Sequence, residues 1–183
     1  MFVKVCGITS VEDALMMLRF RVDAVGLVFH RKSPRFVDAD TALKIVELLK
    51  GRTRLVAVFK YKSELKECER MLELFDFVQL YEPVPQLCHK LILGTHGGTE
   101  EKAAFYLLDA SHGRGVRVDY PLDLFGLPRD KTIISGGLTP YNVDYVVARY
   151  RPYGVDVSSG VELRKGVKSY YLLEAFLDSV RRA

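Results

Sequence analysis

The chain has 183 residues, 49% hydrophobic and 27% charged, which suits one soluble domain with a real core and excludes a disordered segment. No apolar run approaches the ~20 residues a membrane helix needs, and the opening MFVKVCGITS lacks the basic start and small-residue cleavage site of a secretory signal. The formal net charge of +4 is scattered among acids, not gathered into a stripe, which argues against nucleic acid as a partner and against a membrane surface.

Cys6, Cys68 and Cys88 have no paired spacing, so an odd count predicts free thiols and a cytoplasmic protein. Gln79, Gln86 and Asn142 are the only side-chain amides beside abundant Lys, Arg and Glu, a bias associated with hot environments.

In chain order, continuous apolar runs alternate with helical patterns, as in parallel strands covered on both faces. FVKVC leads to SVEDALMMLRF, where Ser10 is the expected N-cap and Val11, Ala14, Leu15 and Leu18 share a helical stripe. DAVGLVF is a second strand, followed by a helix with Ala42, Ile45, Val46 and Leu49 inward. RLVAVF starts a third unit, whose helix would carry Leu65, Cys68, Leu72 and Phe75. Strands four to seven are DFVQL, KLILG, FYLLDA and TIISGG.

TPYNVDYVVARY reads as a helix with Thr139 as cap and Pro140 at its first position, its inner face Val143, Val146, Val147 and Tyr150. GVDVSSGVE is the eighth strand, and SYYLLEAFLDSVRRA a closing helix. Eight strand-led units predict a single α/β domain over residues 1–183, a (β/α)₈ TIM barrel. It is compact for that fold, with shortened helices between strands four and six, where EPVPQLCHK and GTHGGTEEKAAF leave room for turns. The competing doubly wound sheet lacks its Gly-x-Gly-x-x-Gly fingerprint.

Such barrels act at the C-terminal ends of their strands. There the sequence places Cys6, then Lys32 and Arg35, then Asp109, then Ser135, Gly136 and Gly137, and lastly Ser158, Ser159 and Gly160. Cys68 and Cys88 read as small buried hydrophobes. Cys6 faces the mouth, where nearby cations would lower its pKa and supply a thiolate base. Asp109 has two readings, a helix N-cap or a carboxyl whose pKa is raised by an apolar mouth so that it holds a proton.

The Gly and Ser turns after strands seven and eight suit a phosphate. The basic cluster HRKSPR is short enough for a small-anion site, and Arg35 can grip a carboxylate bidentately where Lys32 cannot. Asp156 would orient substrate hydroxyls or make a structural hydrogen bond, and Glu162 must point away from any phosphate. His30, His89, His96 and His112 lack ligand spacing, so a metal is not expected.

The motifs VKVCGITSVEDA, DAVGLVFHRKSPRFV, VQLYE, LLDA, SGGLTPYNV and GVDVSSGVE, in that order, resemble the phosphoribosylanthranilate isomerase family nearly end to end. The resemblance implies an Amadori rearrangement of N-(5-phosphoribosyl)anthranilate without a cofactor. It implies Cys6 as general base at the ribose C2, Asp109 as general acid at the ring oxygen, and Arg35 on the anthranilate carboxylate. The turns at Gly136, Gly137, Ser158, Ser159 and Gly160 would hold the phosphate. Tyr81 stands where many members of the family have His, and Gly113, Gly115 and Asp119 occupy the position of a closing loop. The rivals are another phosphate-binding barrel enzyme and a catalytically silent sugar-phosphate sensor; the sequence leaves a homo-oligomer open.

Overall fold

In the computed structural model, which describes residues 1–109, 121 and 123–183, the apolar runs become eight parallel strands closed into a barrel in sequence order. These are β1 (Phe2–Cys6), β2 (Ala24–Val28), β3 (Arg54–Val58), β4 (Phe77–Leu80), β5 (Leu91–Thr95), β6 (Phe105–Asp109), β7 (Thr132–Ser135) and β8 (Gly154–Val157). Closure comes from β1 against β8, with Phe2 opposite Gly154 and Lys4 opposite Asp156.

The two-residue period of a strand divides the core in two. Val3, Val5, Val25, Leu27, Leu55 and Ala57 pack outward under the helices. Phe2, Cys6, Ala24, Val56, Val58, Ile92, Leu107 and Ile133 fill the barrel. Its lower end is plugged by rings: Phe105 lies 4.8 Å from Tyr153 and 5.4 Å from Phe77, and Phe2 lies 5.2 Å from Tyr153. Carboxylates fasten that end too, since Asp23 accepts from the Val3 N–H and Asp76 from the Leu55 N–H. The hollow they share with Arg21 and Arg54 belongs to the face that serves stability in barrels of this type.

Helices α1 (Val11–Phe20), α2 (Ala39–Leu49), α3 (Val143–Tyr150) and α4 (Tyr170–Arg182) cover the outside. Ser10 caps α1 by accepting from the Asp13 N–H, and Ala14 and Met17 face inward, whereas Leu15 is 52% exposed, contrary to the predicted stripe. The inner faces of α2 and α3 are as expected. The regular part of α3 starts at Val143, because residues 139–142 form a preceding turn in which the Thr139 hydroxyl accepts from the Tyr141 N–H.

The segment after β3 winds as a 3₁₀-helix, Lys62–Leu74, and not as the expected α-helix. Leu65, Cys68, Met71 and Leu74 recur every third residue and pack against the core, which matches three residues per turn. A single 3₁₀ turn, Pro85–Leu87, separates β4 from β5, and residues 96–104 contain no helix. A short antiparallel ribbon absent from the sequence reading, β9 (Glu162–Arg164) and β10 (Val167–Lys168), follows β8.

Candidate active site

The C-terminal ends of the strands open into a cavity of about 710 Å³. Cys6, Arg35, Asp109, Gly136, Gly137, Asp156, Ser158 and Ser159 all line it, so nearly every predicted site residue meets there. Gly160 does not. A Cβ on it would stand 1.8 Å from the Leu138 carbonyl oxygen, so its role is to let the β8 turn lie directly on the β7 turn. Gly136 and Gly137 have φ of 88° and 72°, a left-handed pair that side chains disfavour. Together these turns bring backbone, with little side-chain bulk, to the cavity wall, the kind of surface an anion can approach.

Alternation along β1 puts Lys4 on the same side as Cys6. Its Nζ lies 2.8 Å from Asp156 Oδ1, and the Ser135 hydroxyl donates to Asp156 Oδ2 at 3.0 Å. Both Asp156 oxygens are therefore bonded within the protein, the structural role weighed from sequence. Burial pushes the Cys6 thiol above its ordinary value, and Lys4 and Lys168 do not offset that. This direction corrects the expectation of a lowered thiol: the cations are present, but the cost of taking a thiolate out of water exceeds their attraction.

Arg35 meets Glu162 through two bonds of 2.7 Å, from Nε and Nη2. Lys168 Nζ adds a third at 2.9 Å to Glu162, and also donates to the Cys6 carbonyl at 2.7 Å and the Ser158 carbonyl at 3.2 Å. Burial would raise the Glu162 carboxyl, but these bonds hold it below its usual range, so its charge is neutralised at the cavity wall. The Ser158 hydroxyl donates inward to the Cys6 carbonyl at 3.0 Å, which leaves exposed Ser159 and the turn backbone for a ligand. The wider basic cluster does not act together, for Lys32 is exposed and His30 sits 2.6 Å from Glu64.

Tyr81 donates to Asp109 Oδ2 at 2.8 Å, its ring in the space left by the missing side chain of Gly94 and stacked 5.6 Å from His96. Burial, and then the Asp109 charge, push its hydroxyl well above the normal range, so it remains a donor. Residues 110–120 lie outside the described residues, and with them the N-cap reading of Asp109, His112 and the loop positions Gly113, Gly115 and Asp119. Cys68, within the Lys62–Leu74 helix, and Cys88, at the end of the Pro85–Leu87 turn, are half-buried, not buried.

Sequence reasoning missed Lys4, Gln79 and Lys168. Lys4 carried a signal, two residues before Cys6 on one strand and so on the same face. For Lys168 the signal was Lys165-Gly166 between two short runs, a two-residue hairpin loop. Among the described residues no group of three or more His, Cys, Asp or Glu is placed to hold a metal ion, and no helix is long and apolar enough to cross a membrane.

A similar architecture and sequence recur in known proteins. The family model for N-(5'phosphoribosyl)anthranilate (PRA) isomerase matches residues 95–179. The N-(5'-phosphoribosyl)anthranilate isomerase of Geobacter sp. (strain M21) is 36% identical over 200 aligned residues, covering 98% of each chain. The crystal structure of phosphoribosyl anthranilate isomerase from Thermotoga maritima superposes with a TM-score of 0.83 at 31% identity, over 100% of this chain and 99% of the other. A structure of the isomerase in complex with reduced 1-(o-carboxyphenylamino)-1-deoxyribulose 5-phosphate matches over the same shares, at 31% identity and a TM-score of 0.80. With near-complete coverage in sequence and in fold, this chain belongs to the phosphoribosylanthranilate isomerase family.

Proposed function

We propose that the protein is an aldose–ketose isomerase of tryptophan biosynthesis, acting in the cytoplasm on N-(5-phosphoribosyl)anthranilate to give 1-(2-carboxyphenylamino)-1-deoxyribulose 5-phosphate. The observation that carries this reading is one cavity holding the Cys6 thiol and the Asp109 carboxyl together with the open turns after β7 and β8. Asp109 protonates the ribose ring oxygen as the C1–O bond breaks, leaving a cationic C1=N imine. Cys6, as thiolate, takes the C2 proton; the C–H electron pair forms C1=C2 while the imine electrons return to nitrogen. The resulting enolamine tautomerises to the C2 ketone.

A cationic imine formed beside Cys6 would favour the thiolate and so counter the burial that raises the thiol. Glu162 uses only Nε and Nη2 of Arg35, which leaves Nη1 for the anthranilate carboxylate. Gly136, Gly137, Ser159 and the Ser158 backbone suit the phosphate, and Asp156 supports the site through Lys4 and Ser135. The scarcity of side-chain amides supports service at high temperature.

The test is loss of anthranilate fluorescence from fresh phosphoribosylanthranilate. The parent consumes the signal, and Cys6→Ser and Asp109→Asn each slow it by roughly 10²–10⁴-fold, the usual contribution of a general acid or base. A parent that binds without turnover would make the protein a sugar-phosphate sensor.

A further inference from the structure

Gln79 lies on β4 with 5% of its surface exposed, yet it lines the cavity. In register it stands beside Val58 and Ile92, both inside the barrel, one step below Tyr81. Among the described residues its Oε1 is a buried side-chain oxygen with no hydrogen-bond partner. Buried polar atoms are nearly always paired, and leaving one unpaired costs stability. The apolar flank of Val58, Ile92 and Leu107 provides no donor.

We propose that Gln79 is a specificity-determining residue whose amide oxygen accepts a hydrogen bond from a hydroxyl of the substrate's pentose chain. This rests on the isomerase reading and extends it. Arg35 serves the carboxylate end and the glycine–serine turns the phosphate end, which leaves the hydroxylated carbons between them facing the barrel interior. Asp156, the acceptor predicted for that task, already holds Lys4 and Ser135 on its two oxygens, whereas the Gln79 Oε1 has no partner at all among the described residues. A site built around such an acceptor discriminates against a ligand that cannot donate to it.

The experiment compares the parent with Gln79→Met for binding of ribulose 5-phosphate and of inorganic phosphate by calorimetry, beside a thermal melt. The variant should bind ribulose 5-phosphate about five- to tenfold more weakly, the worth of one neutral hydrogen bond, bind phosphate within twofold of the parent, and melt at the same temperature or higher. Unchanged ribulose 5-phosphate affinity, equal weakening of both ligands, or a lower melting point overturns the proposal, because each assigns the amide a structural part or none. Should the Met variant not fold, Gln79→Asn withdraws the amide by one methylene and must show the same selective loss. Turnover of phosphoribosylanthranilate by the parent, measured separately, decides the isomerase reading itself.

Discussion

Lys4 is fully buried, and a lone ammonium there would be neutral. Burial does oppose its charge, but Asp156 and Cys6 outweigh it and its pKa stands above normal. The charge therefore persists beneath the thiol, facing it with Asp156 from β8 and Lys168 from β10. Lys4→Met should push the thiol further up. The pH midpoint of iodoacetamide labelling at Cys6, followed by peptide mass so that Cys68 and Cys88 are separated, should rise, and the acid limb of activity with it. The variant should also lose about 3–5 kcal/mol of stability, the cost of leaving Asp156 unpaired. An unchanged midpoint would mean that Lys4 acts only as a strut. Cys6 and Asp109 were legible because they end strands, and Arg35 because it lies in the loop that follows β2, on the face where such barrels put chemistry. The state of the thiol was not, because its burial is set by β2, β8 and β10, which no local pattern at Cys6 records.

Among elements, the turns after β7 and β8 depend on one close approach, Gly160 over Leu138. Gly160→Ala should force them apart, costing about 1–3 kcal/mol as an overpacked contact and weakening inorganic phosphate binding. Gly97→Ala, where a Cβ meets nothing within 4 Å, should change neither melting nor binding. Equal behaviour of the two variants in a melt and a phosphate titration would remove Gly160 from this role. The strands were legible because buried parallel strands are continuous apolar runs, and α2 because its apolar stripe recurs at helical spacing. The Lys62–Leu74 winding was not, since apolar residues every third position fit a loose α-helical stripe as well as a 3₁₀ row. Nor was the β9–β10 ribbon, whose strands are too short to show a period.

For the whole molecule, the acid side of the stability profile follows from its engaged carboxylates. Glu162, Glu64 and Asp38 all sit below their ordinary values: burial raises the first two, but Arg35 and Lys168 outweigh it at Glu162, and His30 with nearby backbone N–H groups at Glu64. Asp38 is lowered by its bonds from Thr41. A carboxylate lowered on folding stabilises the protein above its unfolded pKa, and that contribution disappears as pH falls through the folded value. Asp13, raised by burial, acts in the opposite sense. Urea midpoints should therefore hold from neutrality down to about pH 4, where free carboxyls titrate, and fall below it. Glu162→Gln should flatten that fall, and an identical slope would exclude this ion pair from the acid response.

The bonds around Cys6 span the chain: Lys4 and Asp156 are 152 positions apart, and Lys168 and Cys6 are 162 apart. A chain growing on the ribosome thus carries the Cys6 thiol well before the groups that seat it have been made. Ring closure of β8 onto β1 and assembly of the surroundings of Cys6 are one event. A nascent fragment would hold the thiol unseated, and the cavity around it would exist only after the barrel had sealed.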